Sequence, residues 1–329
     1  MTYLLGVDAG NTKTIALVAQ PDGTIIGAAR SGVGDIYAST PEPALKQIAL
    51  AVDNALTQAG ASRDEIASGC FSLAGADWQE DYDFLLAAMK EHKSGEIVAV
   101  YNDAIGALRA GSPDGTGVVL ACGTGTAIGG RNAEGKYWHA SFWQEAFCGH
   151  EMGSRALRAV YRAELGIDPP TALTAPILAH YRQPSVEALL HHYTARDHED
   201  FPAAKTARLS RIVLREADRG DEAALKIVGD MGRGLAEYAL VAARKVGIEG
   251  TAFPLVLNGG VFRHHSNILI NVILDGIRPV APDVQVIRSR HEPAVGALMM
   301  AFEQNGIALQ GEVLARLEAS VPGHDLFHT

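Results

Sequence analysis

The chain has 329 residues, of which 47% are hydrophobic; this is enough for a large core and, by length, for about two domains. Its 28 basic and 38 acidic residues leave a net charge of −10, which argues against a nucleic-acid or acidic-membrane partner. Because the chain is negatively charged overall, an anionic ligand has to be held locally by glycine amides and helix N-termini. The three cysteines lack metal-ligand spacing, and no apolar run approaches the roughly 20 residues of a membrane span. The N-terminus has no leader pattern. Together these observations favour a cytoplasmic protein without disulfides.

The first hundred residues predict an α/β pattern. Alternating apolar residues indicate strands and a 3.6-residue period indicates helices. The predicted strands are 3–7, 14–18, 24–27, 71–75 and 97–101, and the predicted helices are 43–60, 81–92 and 104–110. Gly60 is placed to end the first helix, and a glycine loop at 8–14 follows the first strand.

A similar order of elements returns later in the chain. A strand at 117–121, a glycine turn at 122–126, a strand at 127–131 and a hairpin turn at 132–135 repeat the opening pattern. Beyond residue 150 the pattern predicts a helix at 221–246, strands at 253–257 and 284–287, and a helix at 293–304, whereas 168–203 gives no clear pattern. We therefore predict two lobes, residues 1–112 and 113–329, with the helix near 293–305 packing back toward the first lobe.

The first glycine loop has the residues of a phosphate site. Gly10 permits a tight path by which backbone amides approach phosphate oxygens, and Thr12 and Lys13 add a hydroxyl and a positive charge next to Asn11. Asp8, at the end of the buried strand, could hold Mg²⁺ through water. The alternative is an ordinary hairpin turn that uses Asp and Gly for their conformation.

Two further glycine loops follow apolar strands. The second comprises Gly123, Thr124, Gly125 and Thr126; it matches neither the P-loop nor the Rossmann pattern and, by itself, could be a turn. Gly259 and Gly260 form a third place where backbone can approach a flat ligand. Three such loops at strand ends favour a nucleotide site over three unrelated turns.

Asp103 is the candidate for the chemistry. It follows a buried strand, and ligands of α/β sheets bind beyond the carboxyl ends of strands. A carboxylate there could take the proton of an attacking hydroxyl during phosphoryl transfer. The alternative is that Asp103 only caps the helix at 104–110.

Histidines supply weaker candidates. The segment 149–154 offers His150 and Glu151 at a predicted loop tip before a helix that starts near Arg155. The pattern argues against a metal site at His191, His192 and His198, which lie in a polar stretch, and His264 and His265 are expected at the surface or cleft edge.

Taken in order, these motifs resemble the N-acetylglucosamine kinase and BadF/BadG-type ATPase family of the actin/hexokinase superfamily. The resemblance rests on Asp8-x-Gly10-x-Thr12, Leu73-Ala74-Gly75, Asn102-Asp103-Ala104, Gly123-Thr124-Gly125-Thr126, Leu257-Asn258-Gly259-Gly260 and Glu292-Pro293-Ala294-Val295-Gly296. It covers nearly the whole chain.

The resemblance implies two ribonuclease-H-like α/β lobes of the actin/hexokinase type with ATP and Mg²⁺ in the cleft between them, closure on a small sugar, and a homodimer. It implies a kinase for an amino sugar, with Asp103 as general base, phosphate loops at 8–13 and 123–126, and an adenosine loop at Gly259 and Gly260. The implied substrate residues are Asp35, Gly75, Asp103, Thr124, His150 and Glu151.

Two positions depart from the family pattern. His150 stands where the family's sugar kinases have an aspartate, and Gly34-Asp35 stands where they have an asparagine. The nucleotide half of the resemblance is therefore intact, whereas the sugar half is altered.

Two other functions share this fold. An activator ATPase that couples ATP hydrolysis to electron transfer would bridge an iron–sulfur cluster through cysteines, and Cys122 and Cys148 do not recreate that pattern. A non-catalytic sugar sensor is disfavoured because Asp8 and Asp103 are retained. The sugar-kinase branch that carries a cysteine-rich zinc loop is excluded by the absence of such a cluster.

Overall fold

The computed structural model describes residues 2–38, 40–196 and 203–327, and the strands of this part form two five-stranded mixed sheets. The first sheet contains β1 (Tyr3–Ala9), β2 (Thr14–Ala19), β3 (Ile25–Ser31), β4 (Ile66–Leu73) and β5 (Ile97–Asn102). The second contains β6 (Gly117–Cys122), β7 (Thr126–Arg131), β8 (Tyr137–His139), β9 (Pro254–Asn258) and β10 (Gln285–Arg288).

The two sheets have the same topology. The order is β3-β2-β1-β4-β5 in the first and β8-β7-β6-β9-β10 in the second. In each sheet three successive strands pair antiparallel, and the first of them then pairs in parallel with the next strand, which pairs in parallel with the last. The repeat predicted from the sequence is thus confirmed as a repeat of strand order, and the two-lobed α/β fold class is confirmed with it.

Helices cover both sheets. Their bounds are α1 Pro41–Ala59, α2 Gln79–Glu91, α3 Asp103–Gly111, α4 Gly149–Glu164, α5 Thr174–Tyr181, α6 Val186–Thr194, α7 Ala203–Ala207, α8 Ser210–Asp218, α9 Glu222–Val246, α10 Ile268–Ile277, α11 Pro293–Gln304, α12 Gly311–Ser320 and α13 His324–Phe327. Among the described residues, no helix combines the length and apolarity that a membrane crossing requires.

The helices α3 and α11 lie between the sheets. A side chain on Gly6 of β1 would collide with the backbone of Leu298, which shows how closely α11 packs on the first sheet. The helix α3 packs its alanine and leucine face on β6 and β9, where Leu108 meets Val119 and Val256 in one apolar cluster. The division into lobes at 112/113, with the helix near 293–305 packing back toward the first lobe, stays a prediction.

The structure corrects two local expectations. β4 occupies 66–73 and not 71–75, because the chain turns at Gly75, whose φ is +86°. The predicted loop at 149–154 is the first part of α4, which begins at Gly149 and not near Arg155. Glycines lower helix propensity, but here they admit a neighbour: a Cβ on Gly153 would lie 2.1 Å from the carbonyl oxygen of Thr206. Within 168–203, for which the sequence shows no clear pattern, the structure contains α5 and α6 joined by turns, and 197–202, with His198, lies outside the described residues.

Candidate active site

The carboxyl ends of β1, β5, β6 and β9 surround one cavity of about 360 Å³. Every residue predicted to bind phosphate lines it, together with Asp103 and the pair Gly259 and Gly260; the phosphate residues are Asp8, Gly10, Asn11, Thr12, Lys13, Gly123, Thr124, Gly125 and Thr126. The walls come from both sheets, because each sheet places the ends of its parallel strands at the same edge. The predicted nucleotide residues therefore meet at one place in the fold.

Glycines leave the phosphate loops open. A Cβ on Gly10, Gly123, Gly125 or Gly260 would meet no atom within 4 Å, so the space beside the backbone is free at each of these positions. A ligand can approach the main chain there, as phosphate oxygens do when they bind backbone amides. Both loops thus have the exposed backbone that the sequence predicted.

The third loop packs directly on the second. Gly259 has a φ of +95°, and a Cβ there would lie 2.4 Å from the carbonyl oxygen of Cys122, so only glycine fits. The amide of Val261 donates to that same carbonyl at 3.1 Å, and the amide of Gly149 donates to the Gly123 carbonyl at 2.9 Å. The second phosphate loop is therefore held from two sides by backbone hydrogen bonds.

Two carboxylates lie in the cavity with raised pKa values. Burial raises the pKa of Asp103 to about 8, and the negative charges of Asp8, Asp77 and Asp35 add to the effect. Burial also raises the pKa of Asp8 to about 7, against the opposing influence of the Lys13 ammonium. Such shifts are typical of functional clefts, where carboxylates are buried near one another.

The helix cap is Asn102 and not Asp103. The Asn102 side chain accepts a hydrogen bond from the amide of Ala104 at 3.1 Å, and Asp103 is the first residue of α3. The alternative that Asp103 serves only as the cap is therefore wrong. Its carboxyl group lies in the cavity beside both phosphate loops.

The donors in the cavity suit a hard divalent cation. Asp8 and Asp103 supply carboxylate oxygens, and Thr12 and Thr124 line the same space with hydroxyl groups. Mg²⁺ prefers oxygen ligands and retains several waters. Burial is the main cause of the raised pKa of both carboxyl groups; the charge of Asp8 adds to the shift of Asp103, and the charge of Glu292 adds to that of Asp8. A cation bound at these carboxylates would offset the cost of ionising them, so these residues fit Mg²⁺.

Of the predicted substrate residues, Asp103 and Thr124 line this cavity, and the other four fall into two groups outside its lining. Asp35 is buried, its carboxylate accepts from the Tyr37 amide at 2.8 Å, and a Cβ on Gly75 would lie 2.9 Å from that carboxylate. On α4, Glu151 pairs with Arg155 at 2.8 Å, whereas Nδ1 of His150 is buried without a hydrogen-bond partner in the described part of the chain. Contact of these residues with an acceptor stays a prediction.

Several residues of the cavity were not predicted from the sequence. Arg208 and Arg211, in and after the turn between α7 and α8, line the cavity, as does Arg263, which forms an ion pair with Glu292. Their segments carry no motif, and they reach the cavity only through tertiary packing. Lys13 is also held from a distant segment, because its ammonium donates to the carbonyl of Phe327.

The remaining histidines differ in their surroundings. Over the described ranges, His191 and His192 belong to no group of three potential metal ligands. His264 and His265 do lie beside Asp218, with their potential ligand atoms within 4.8 Å of one another, and His265 and Asp218 are exposed.

Comparison with known proteins identifies the family. The sequence matches the BadF/BadG/BcrA/BcrD ATPase family over residues 5–301. The chain belongs to this family. The family assignment suggested by the motif order is confirmed. Because this is a family of ATPases, membership implies that the nucleotide is ATP.

Individual relatives cover nearly the whole chain. An N-acetyl-D-glucosamine kinase of Dictyostelium discoideum is 27% identical over 313 residues, covering 91% of this chain and 97% of the relative. An N-acetylmuramic acid/N-acetylglucosamine kinase of Clostridium acetobutylicum is 25% identical, covering 92% and 98%. The crystal structure of a ROK family glucokinase of Streptomyces griseus with glucose and AMPPNP superposes with a TM-score of 0.57 at 17% identity, covering 92% and 99%, which supports the fold alone.

Proposed function

We propose that the protein is an ATP-dependent sugar kinase that phosphorylates a hydroxyl group of an amino sugar of the N-acetylglucosamine or glucosamine type. One observation carries the proposal: Asp103 lies in the same cavity as two open glycine loops that face each other from the two sheets. A phosphate donor held by the loops would have its terminal phosphoryl group beside a carboxylate, which is the arrangement phosphoryl transfer requires. Both relatives described above are named sugar kinases.

In this proposal Asp103 acts as the general base. Its carboxylate accepts the proton of the acceptor hydroxyl as the oxygen attacks the terminal phosphorus, and ADP leaves with the electrons of the broken bond. Lys13 and the amides of the two glycine loops stabilise the negative charge on the phosphate oxygens. Mg²⁺, held by Asp8 through water, would neutralise further phosphate charge.

Asp35, Gly75 and Thr124 form the acceptor side, with His150 and Glu151 contributing from α4. Asp35 raises the pKa of Asp103, so the two carboxylates are close enough to interact. A carboxylate at position 35 would favour an amine, whereas an imidazole at 150 would favour an acidic group. The relatives' names include both N-acetylglucosamine and N-acetylmuramic acid as substrates.

The activator ATPase alternative is disfavoured by the cysteines. Cys70, Cys122 and Cys148 are all buried, and burial raises the pKa of the Cys122 thiol well above its ordinary value. A cluster shared between two subunits needs thiolates at the surface where they meet. All three cysteines lie in the part of the chain that the structure describes, and because each is buried, none meets that requirement.

A coupled ADP-release assay over a panel of acceptors tests the proposal. We expect ATP turnover that depends on an acceptor, with glucosamine, N-acetylglucosamine or N-acetylmuramic acid giving a kcat/KM at least about tenfold above that of glucose. Asp35→Asn and His150→Asp should each change the order of preference. Turnover that is independent of every sugar would contradict the kinase function, and a preference unchanged by either substitution would remove Asp35 and His150 from the acceptor site.

A further inference from the structure

A second cavity of about 210 Å³ lies beside the proposed acceptor site and is lined by aromatic residues. All three tryptophans of the chain, Trp78, Trp138 and Trp143, line it. Aromatic residues make up only 6% of the sequence, so this grouping does not reflect composition. Together with Tyr37 and Phe142, Trp78 and Trp143 form what we call the aromatic rim.

The aromatic rim is exposed and preorganised. Tyr37, Trp78, Phe142 and Trp143 are 50%, 44%, 59% and 69% exposed. Phe142 lies nearly parallel to Trp78, at 14° and with 6.3 Å between ring centroids, and edge-on to Tyr37 at 5.2 Å. Monomeric proteins rarely expose clustered large apolar rings unless the surface binds something.

Hydrogen bonds fix the rim from both sheets. Asp81 accepts from the Tyr37 hydroxyl at 3.0 Å and from the Trp78 amide at 2.8 Å, which holds these two residues in the first lobe. On the other side, Ser141 has a φ of +42°, a strained conformation for a residue with a side chain. Its hydroxyl donates to Asp77 at 2.5 Å, and its backbone turns Phe142 outward.

The inner wall of the cavity is polar. Asp77 accepts from the Asn102 amide group at 2.9 Å as well as from Ser141, and Nδ1 of His139 lies 2.6 Å from the Ser141 hydroxyl. Burial lowers the pKa of His139 to about 4, so the imidazole is neutral at pH 7. A wall of carboxylate, hydroxyl and imidazole next to exposed rings is suited to a ligand with hydroxyl groups and apolar C–H faces.

The cavity is connected to the reaction site on both sides. Asn102, which contacts Asp77, immediately precedes Asp103. The segment that follows the rim is tied to the second phosphate loop, because the Gln144 side chain donates to the Thr126 carbonyl at 2.6 Å and the Phe147 amide donates to the Thr126 hydroxyl at 3.0 Å. A group bound at the rim therefore lies beside the acceptor and not at a remote surface.

We propose that the aromatic rim and its cavity bind a second pyranose ring, so that the acceptor is a disaccharide or glycoside whose phosphorylated ring lies at Asp103. The inference rests on the proposed kinase function and names its substrate class. The apolar face of the distal ring stacks on Phe142 and Trp78, and its hydroxyl groups meet Asp77 and its neighbours. The reaction is unchanged: the phosphoryl group passes from ATP to a hydroxyl group, the proton passes to Asp103, and ADP leaves.

Paired acceptors and paired variants test this inference. We expect N,N′-diacetylchitobiose to have a kcat/KM about tenfold or more above that of N-acetylglucosamine, the effect of one favourable ring contact. Phe142→Ala should reduce this preference about tenfold. The control is Phe84→Ala on α2, which removes a 43% exposed phenyl ring outside the rim and should leave the preference unchanged.

Intrinsic tryptophan fluorescence reports binding independently of turnover, because every tryptophan lines this cavity. The disaccharide should change the emission at lower concentration than the monosaccharide, and Phe142→Ala should abolish that difference. If the disaccharide and the monosaccharide bind with equal affinity in the wild type as well as in Phe142→Ala, the inference is wrong even if the monosaccharide is phosphorylated. A different outcome would also overturn the inference. If the wild type shows no preference for the disaccharide, and sedimentation shows that Phe142→Ala loses a dimer, the rim is a contact between copies. Absence of phosphorylation with every sugar would contradict the kinase function, while the fluorescence titration would still decide the binding site.

Discussion

Asp103 is placed so that burial and neighbouring charge both act on its proton. Burial disfavours the ionised carboxylate and raises the pKa of Asp103 to about 8. Burial likewise raises the pKa of Asp8, to about 7. A general base needs a proton affinity close to the working pH, so this environment favours proton transfer from a hydroxyl group. The same environment destabilises the ionised native protein.

We expect Asp103→Asn to lower turnover by about 10²- to 10⁴-fold, because an amide cannot accept the proton of the acceptor hydroxyl. Nucleotide affinity should change little, since the glycine loops remain intact. The measurement is steady-state kinetics together with calorimetric titration of ATP and Mg²⁺. Asp275→Asn, an exposed carboxylate on α10, is the matched control and should retain full activity. Turnover of Asp103→Asn within a few-fold of wild type would remove Asp103 from the chemistry.

The same variant has a predicted effect on stability. In the native protein Asp103 holds a proton up to pH about 8, whereas in the unfolded chain the group ionises near 3.8. Between these values the native state binds more protons, so the free energy of unfolding falls as pH rises. Without nucleotide or Mg²⁺, Asp103→Asn should therefore have a Tm at least about 2 °C above wild type at pH 8, with the difference shrinking toward pH 4. A difference that is constant with pH would contradict the raised pKa.

Residues of the candidate site differ in how far the sequence could identify them. Asp8 lies near the end of the buried strand β1, and Asp103 follows β5, an edge strand that is only partly buried. The glycine loops also lie at strand ends, so strand order alone predicts that these residues meet. Arg208 and Phe142 carry no such signal, because each reaches its position through a turn whose direction depends on packing against distant segments. The left-handed conformation of Ser141 is likewise set by its contact with Asp77, 64 residues away in sequence.

At the scale of elements, glycines set how closely α3 and α11 cross. A Cβ on Gly296 would lie 2.0 Å from the carbonyl oxygen of Gly106, and a Cβ on Gly106 would lie 2.4 Å from the Ser72 hydroxyl. The two helices therefore contact each other through their backbones. Since α3 begins at Asp103 and α11 follows Glu292, this crossing positions both ends of the cavity.

We expect Gly296→Ala to destabilise the protein by about 1–3 kcal/mol, because the methyl group forces the two backbones apart. It should also lower kcat, because α3 carries Asp103. Gly229→Ala on α9 is the control: its Cβ would meet only the end of the Arg233 side chain, at 3.2 Å, and alanine favours a helix. Chemical denaturation and steady-state kinetics measure both effects. Equal stability of the two variants would show that the crossing tolerates a wider separation.

Helices were predicted well where their apolar period is long, as in α9, and poorly at α4. The sequence at 149–154 contains two glycines, which local propensity reads as a loop. In the fold, Gly149 and Gly153 are required by close contact with the phosphate loop and with Thr206. Tertiary packing thus overrides propensity where a helix begins at the candidate site.

For the whole molecule, the lobes differ in how they are joined on the two sides of the cleft. Between the sheets lie α3 and α11, in backbone contact. On the acceptor side the joining contacts are polar and aromatic: Ser141 donates to Asp77 at 2.5 Å, and the Tyr82 hydroxyl lies 3.0 Å from Nε2 of His139. Polar contacts of this kind separate at lower cost than packed backbones, so the acceptor side is suited to opening about α3 and α11.

Closure of the lobes on both ligands is the corresponding prediction, since an open, hydrated cleft would lose ATP to hydrolysis. A compact chain of this length has a radius of gyration of about 20 Å, and we expect the measured value to fall when Mg²⁺, ATP and the preferred acceptor are all present. Asp103→Asn is the protein to use, because it should bind both ligands and keep the ternary complex intact during small-angle X-ray scattering. Each ligand alone serves as the control and should produce less than the full change. Superimposable scattering profiles with and without the ligands would show that the cleft is closed from the start or excludes water without moving the lobes.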